Sequence, residues 1–193
     1  MHSVISTRRT ARGSKLREEA LLVLDKRGAI LDVAREISRL MRQAHVAGVV
    51  IGGVAVVLHG HVRTTKDVDV LTISEVEAMA DLLTTHGFTF KKAERSFVKH
   101  GVAVHLVLAE LVGPPPKKSI EIDGITTVTL ADLLGMKLRR GSTNLLRAQD
   151  LADVIALIRH HRLTNEFAKH LEKTLRSAFR KLVRMIERER GKE

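Results

Sequence analysis

The sequence predicts an α/β, or α+β, fold: a mixed sheet flanked by helices, followed by a C-terminal part that is helical throughout. Three observations carry this. Val49-Val50-Ile51 has the β-branched makeup of a short buried strand. Asp67-Val68-Asp69-Val70 alternates acidic and apolar residues, the period of a strand with one covered face. On both sides of this pair, apolar residues recur at the three- and four-residue spacing of helices that pack on a sheet.

In chain order, residues 1–13 carry Arg8, Arg9 and Arg12 among Ser, Thr and Gly and read as a mobile basic arm. Ser14 can cap a helix containing Leu16, Ala20, Val23 and Leu24, which Gly28 interrupts. A second helix follows Asp32, with Val33, Ala34, Ile37, Leu40 and Met41 on one face, and ends by Gly48. Val54 to His59 forms a short helix ended by Gly60. Ser74 with Glu77 three residues on reads as a capping box for a helix over 74–86. Phe88 to Phe90, Arg95 to Lys99 and Val102 to Leu108 read as strands, and Asp123-Gly124 as the turn of a hairpin between Ser119–Ile122 and Ile125–Thr129. The sheet then has five or six strands, partly antiparallel. Leu130 opens the helical remainder, with helices over 130–139 and 146–160 around a loop from Gly141 to Asn144, then one long helix from Thr164. The organisation is an arm (1–13), an α/β domain (14–129) and a helical part (130–193).

A chain of 193 residues can bury a proper core. It has no cysteine, which excludes disulfides and thiolate zinc sites. No apolar run approaches the ~20 residues of a membrane span, and the basic N-terminus lacks the apolar core of a signal peptide, so a cytoplasmic protein is expected. The formal charge is +11 and the sequence pI about 10.4, a balance that favours a polyanionic partner such as nucleic acid. Tyr and Trp are absent, which argues against a base-stacking platform.

The chemistry lies in Asp67-Val68-Asp69. Side chains two apart on a strand share a face, so the two carboxylates project together. They repel unless a cation sits between them, and an oxygen-lined site of this kind suits Mg²⁺, which recruits further oxygens from water and phosphate. Gly52-Gly53 follows the first strand, where glycine lets a backbone approach a ligand closely and the amides of the next helix favour an anion. A lone Gly-Gly is usually a turn and a lone Asp-x-Asp a solvated strand end. A phosphate cradle beside a metal site implies phosphoryl or nucleotidyl transfer.

Together, an apolar residue, Gly52-Gly53, a spacer from Val54 to Lys66 and Asp67-Val68-Asp69-Val70 resemble the signature of the DNA polymerase β-type nucleotidyltransferase superfamily. Ala55, His59-Gly60, Arg63 and Thr65 resemble the minimal nucleotidyltransferases, including abortive-infection, toxin-like members. Met136-Lys137-Leu138 and Arg147-Ala148-Gln149-Asp150-Leu151-Ala152-Asp153 resemble the second motif of that group. The resemblance implies a nucleotidyltransferase sheet at the core of the α/β domain. It implies transfer of a nucleoside monophosphate from an NTP to an acceptor hydroxyl. Asp67 and Asp69 would hold Mg²⁺, Gly52, Gly53, Arg63 and Lys137 would meet the nucleotide, and Asp150 would assist at the acceptor. The superfamily often carries a third acid on the neighbouring strand, where this chain has His105, a poor Mg²⁺ ligand that could serve as a general base or be a tolerated polar residue. Glu110, Glu121 and Asp123 are the other candidates for a third carboxylate. Arg147 and Asp150, three apart, could instead form only a surface pair.

For the acceptor, Lys173, Arg176, Arg180 and Arg184 recur at spacings of three and four beside an apolar stripe of Phe167, Leu171, Leu175, Ala178, Phe179, Leu182 and Ile186. Such a row can follow a phosphate backbone, and with the basic arm it points to tRNA. An ordinary solvated face is the plain alternative. Two other functions stay open: an inactive nucleotidyltransferase-fold module that holds nucleotide or RNA, and a partner in a toxin–antitoxin pair.

Overall fold

The computed structural model describes residues 28–116, 118–141 and 147–190. The arm, the helix expected after Ser14 and most of the loop expected after Gly141 lie outside these residues. The first described helix, α1, spans Ala29–Ala44 and buries Val33, Ala34, Ile37, Leu40 and Met41, the face that its periodicity marks. It stops at His45, which takes the left-handed conformation (φ 55°). Strand β1 (Gly48–Ile51) leads straight into the short helix α2 (Gly52–Leu58), and β2 covers Asp67–Thr72.

The remaining elements are α3 (Val76–Thr85), β3 (Thr89–Lys91), β4 (Ser96–Lys99), β5 (Val102–Leu108), α4 (Ala109–Val112), β6 (Ser119–Ile122), β7 (Ile125–Val128), α5 (Leu130–Gly141), α6 (Ala148–His160) and α7 (Arg176–Arg190). The strands form one sheet of seven in the order β3-β4-β5-β2-β1-β7-β6, one or two more than the sequence leads one to expect. The sheet is mixed: β2 runs antiparallel to β1 and parallel to β5, and β1 runs parallel to β7.

Strand alternation sorts side chains between two cores. Val50, Val68, Val70, Val104 and Ile125 pack with α1 and α3 on one face. Val49, Ile51, Leu71 and Val128 pack on the other with Leu133, Leu134 and Leu138 of α5, Val154 and Leu157 of α6, and Phe179 and Val183 of α7. Asp67 and Asp69 share the parity of Leu71 and therefore point to the face roofed by α5 and α6. Helix α2 serves both cores, with Val54 on one side and Ala55 and Val56 on the other. From Leu130 onward every described element is helical. Among the described residues no helix is long and apolar enough to cross a membrane.

Two local expectations need correction. Ser74 does not cap α3: its hydroxyl accepts the Ala47 amide at 2.7 Å, tying the end of β2 to the entrance of β1, and the N-cap position falls on Glu75 with no side-chain cap. The long helix from Thr164 is broken. A 3₁₀ segment covers Asn165–His170, Leu171 is extended (φ −94°, ψ 159°), a second 3₁₀ turn covers Lys173–Leu175, and α7 begins only at Arg176. One continuous helix would set Phe167 and Phe179 roughly 18 Å apart, whereas their ring centroids lie 5.7 Å apart because the first segment folds back on α7. The break buries Ala168, Leu171 and Leu175 in the same core as Phe179.

These contacts separate the effects of two neighbouring side chains. Ser74→Ala is expected to destabilise the protein by about 1 kcal/mol through the lost Ala47 contact. Glu77→Ala, on the exposed side of α3, is expected to stay within about 0.5 kcal/mol of the parent. Urea unfolding of both variants measures the difference; a larger cost for Glu77→Ala would restore the capping box.

Candidate functional site

The register of β1 against β2 places Ile51 opposite Asp69, so the residue after Ile51 meets that carboxylate. That residue is Gly52, at φ +68°, and a Cβ there would stand 2.0 Å from Asp69 Oδ2. Glycine is required twice, for the backbone angle and for the space. Gly53 is required for space alone: a Cβ would stand 2.3 Å from the Thr65 hydroxyl and 3.2 Å from an Arg63 guanidinium nitrogen. Thus the connection between α2 and β2 folds back over the glycine pair, and the backbone at 52–53 is held against Asp69, Thr65 and Arg63.

The carboxylates stand where strand parity puts them. Burial first, and then the adjacent Asp67, push the Asp69 carboxyl above its ordinary range; His105, Arg140 and Lys137 pull the other way. His105 lies directly across from Asp69 on β5, with Nε2 3.6 Å from Asp67 Oδ2. The residue at the expected third-acid position is therefore beside the pair. Glu110, Glu121 and Asp123 do not line the cleft: Glu121 pairs with Arg42 and the Asp123 carbonyl accepts from Arg35, both on α1.

The opposite wall comes from α5 and α6. Lys137 is almost fully buried, and its Nζ lies 2.8 Å from Asp150 Oδ1 and 2.7 Å from Asp153 Oδ2. Lys137 is therefore held in the interior between two acids. Asp153 is completely buried and gathers three partners: Lys137, Arg63 (NH2 to Oδ2 3.0 Å, Nε to Oδ1 2.8 Å) and Gln149 (Nε2 to Oδ1 3.0 Å). Burial pushes its carboxyl up, but Lys137, Arg63 and Gln149 outweigh that and hold it below the ordinary range. Arg147 approaches Asp150 only to 3.8 Å, so the pair three apart is a minor partner of a carboxylate already held by Lys137.

These walls enclose a cleft of about 740 Å³. It is lined by Gly52, Gly53, Asp67, Asp69, Lys137 and Asp150, together with Arg63, Thr65, Lys66, Arg140, Arg147 and Gln149, and by an apolar patch of Val107, Val112, Leu133 and Met136. The structure thus brings together residues from three sequence regions. Lys173, Arg176, Arg180 and Arg184 do not line it. Lys173 precedes α7, and Arg176 donates to the Leu171 and Lys169 carbonyls, so the four do not form one helical row. Arg140 and the anchoring part of Asp153 escape a reading of the sequence, although Arg140 follows Lys137 by three positions and so shares its helix face.

The donor set suits a magnesium ion. Two carboxylates on one strand face, one of them held above its ordinary pKa by burial and by the other, form an anionic site that a cation relieves. Mg²⁺ is commonly bound by one or two carboxylates with water and phosphate completing its shell. Among the described residues no group of three or more His, Cys, Asp or Glu forms a closed metal site.

Two stability effects follow, with opposite pH dependence. Asp69 titrates above its unfolded value, so its ionisation opposes folding; the penalty is absent at low pH and grows as pH rises through the raised pKa. Asp69→Asn in metal-free buffer is therefore expected to raise the melting temperature relative to the parent, more at about pH 7.5 than at about pH 4.5. A constant or negative difference would contradict the electrostatic account. Asp153 titrates below its unfolded value, so its contribution is present at neutral pH and lost as pH falls through the lowered pKa. Asp153→Asn leaves Lys137 and Arg63 undercompensated, and denaturant unfolding at neutral pH is expected to show a loss of about 3–5 kcal/mol.

Residues 28–100, from α1 through β4 and including Gly52-Gly53 and Asp67-Val68-Asp69, match the family model described as "Nucleotidyltransferase of unknown function (DUF6036)". No curated protein matches the sequence. The fold is similar to that of ANT(2″)-Ia, solved in complex with adenylyl-2″-tobramycin, with a TM-score of 0.54 at 14% identity over 78% of this chain and 96% of that one. An antigenic nucleotidyltransferase-like protein from Paracoccidioides brasiliensis (TM-score 0.46, 16% identity, 66% of this chain and 74% of that one) and JHP933 from Helicobacter pylori (TM-score 0.45, 17% identity, 74% of each) are more distant in shape. Residues 28–100 thus carry a nucleotidyltransferase family match, within a fold similar to that of ANT(2″)-Ia.

Proposed function

We propose that this protein transfers a nucleoside monophosphate from a Mg²⁺–NTP to an acceptor hydroxyl within the cleft: the acceptor oxygen bonds to the α-phosphorus, the α–β phosphoanhydride bond breaks, and pyrophosphate leaves. The observation that carries the reading is the packing of Gly52 against Asp69, which sets a glycine backbone directly beside a paired-carboxylate site. Asp67 and Asp69 would hold the metal, which when bound neutralises phosphate charge and orients the phosphates for in-line attack. Gly52 and Gly53 admit the phosphates close to the backbone. Lys137 has three N–H donors; Asp150 and Asp153 engage two of them, and the third would serve the nucleotide in the cleft that Lys137 lines. Arg63, fixed by Asp153, forms the neighbouring wall of the same subsite. Asp150, held at 2.8 Å by Lys137, orients the acceptor hydroxyl and accepts its proton. Catalysis in this account comes from positioning and charge stabilisation.

For the acceptor we propose an RNA hydroxyl, tRNA in the first instance. The support is the +11 charge and the exposed Lys173, Arg180 and Arg184. A second reading, that the fold holds nucleotide or RNA without transfer, alone or as half of a toxin–antitoxin pair, draws on His105 at the third-acid position. ANT(2″)-Ia, whose solved complex contains an adenylylated aminoglycoside, makes a small-molecule hydroxyl the competing acceptor.

Incubation with each radiolabelled NTP, Mg²⁺ and a total cell extract tests transfer and acceptor together. Label is expected in the RNA fraction, and Asp67→Asn and Asp69→Asn are each expected to reduce it by at least about a thousandfold while remaining folded. Label in a small molecule would replace the acceptor, and unchanged labelling by either variant would remove the carboxylate pair from the mechanism. RNA binding should weaken steeply with salt, and replacing Lys173, Arg180 and Arg184 by Ala should flatten that slope; identical slopes would exclude this surface.

A further inference from the structure

The connection from α2 to β2 is anchored on both sides of one uncommitted side chain. Arg63 is fixed to Asp153 at 2.8 and 3.0 Å and also donates to the Thr64 carbonyl at 2.9 Å. Thr65 is buried against Gly53, with its hydroxyl 3.4 Å from the Asp67 carbonyl. Asp67 then enters β2 in register with Ala103 of β5. Lys66, between Thr65 and Asp67, lines the cleft and is exposed. Its neighbours set its backbone, yet among the described residues no hydrogen bond or ion pair engages its ammonium group. The other cations that line the cleft are committed. Lys137 is held by Asp150 and Asp153, Arg63 by Asp153, Arg147 lies 3.8 Å from Asp150, and Arg140 has a partner as well. Asp67 and Asp69 match the charge of one Mg²⁺, so the phosphates of an NTP need a further cation.

We infer that Lys66 is a substrate-binding residue whose ammonium group meets the β- and γ-phosphates of the NTP, the part that leaves as pyrophosphate. This rests on the nucleotidyltransfer reading above. Lys66 adjoins Asp67 in the chain, with Cα atoms about 3.8 Å apart, so its flexible stem sweeps the space beside the carboxylate pair. Gly53 packs on Thr65, the residue before Lys66. A phosphate chain that runs from the carboxylates along the glycine backbone therefore passes this loop, and a monophosphate held at the carboxylates ends short of it. A compact ammonium on a flexible stem suits a departing group, because it pairs with the charge that builds on pyrophosphate without demanding one fixed geometry. The cations then divide the work: Arg63 and Lys137 build the wall of the cleft, and Lys66 is left for the ligand.

The test is calorimetric titration of the full chain, with Mg²⁺, by an α,β-methylene NTP analogue, by the matching NMP and by total tRNA. Lys66→Ala is expected to weaken the analogue by about fivefold or more and to change the NMP and the tRNA by less than about twofold. Lys66→Arg, which keeps the charge, should retain most of the analogue affinity, and Lys66→Gln, which does not, should behave like Lys66→Ala. All three should melt within about 2 °C of the parent, because the side chain is exposed and unpaired. Lys92→Ala removes one charge from the exposed turn between β3 and β4, outside the cleft, and should leave every affinity unchanged. Analogue affinity in Lys66→Ala equal to the parent overturns the inference, as does an equal loss for analogue and NMP, or an equal loss in Lys92→Ala. A loss confined to tRNA also overturns it and assigns the lysine to the acceptor. Failure of the parent protein to bind either nucleotide overturns the nucleotidyltransfer reading and this inference with it, and is seen before any variant is compared.

Discussion

The site depends on one buried carboxylate. Asp153, without solvent access on α6, holds Lys137 of α5 and Arg63 of the α2–β2 connection at the same time. A lone carboxylate in that position would be strongly disfavoured, and either cation buried alone would be too. Together they are satisfied only when the helical roof and the loop over the sheet are both in place. The consequence is geometric: the loop that carries Thr65 over Gly53 is tied to the helices that carry Asp150 and Arg140, and the cleft between them acquires two fixed walls. The apolar packing of Phe179, Leu157 and Leu133 stabilises the roof; the charged contact sets where the roof sits over the strands.

Beside that frame the paired carboxylates cost stability. Asp69 is held above its ordinary pKa by burial and by Asp67, and the glycine packed on it contributes no side chain that could donate to it. Such local cost is common where a ligand will supply the missing interaction. The two electrostatic features have opposite signs: Asp153 contributes stability at neutral pH, whereas Asp69 subtracts from it. One chain thus carries a charge cluster that builds the cleft beside one that costs stability at neutral pH.

Much of this was legible in the sequence where the determinants are local. The β-branched run, the glycine pair and the alternating acids lie within one short stretch, and strand parity alone puts Asp67 and Asp69 on one face. The pairing of β2 with β5, which brings His105 beside them, follows from the same parity once the strands are neighbours. Contacts between distant segments were not legible: Arg63 and Asp153 are 90 positions apart, and nothing in helical spacing says that Lys137 is buried between two acids. The last helix misled for a different reason. Its three- and four-residue spacing fits one long helix, and the break at Leu171 carries no glycine or proline signal; it exists because folding back buries Leu171 and brings Phe167 onto Phe179. Ser74 had the right residue three positions on for a cap, but a backbone amide from the neighbouring strand took its hydroxyl first.

The central claim is that Asp67, Asp69 and the glycine pair form one site for a metal and a nucleotide together. Thermal melting with NTP, with Mg²⁺, and with both tests it most directly. The account predicts that the pair stabilises the protein well beyond the sum of the two separate effects, and that Asp69→Asn abolishes the excess. An NTP shift that is the same in Mg²⁺ as in chelator, or no shift under any condition, would contradict it.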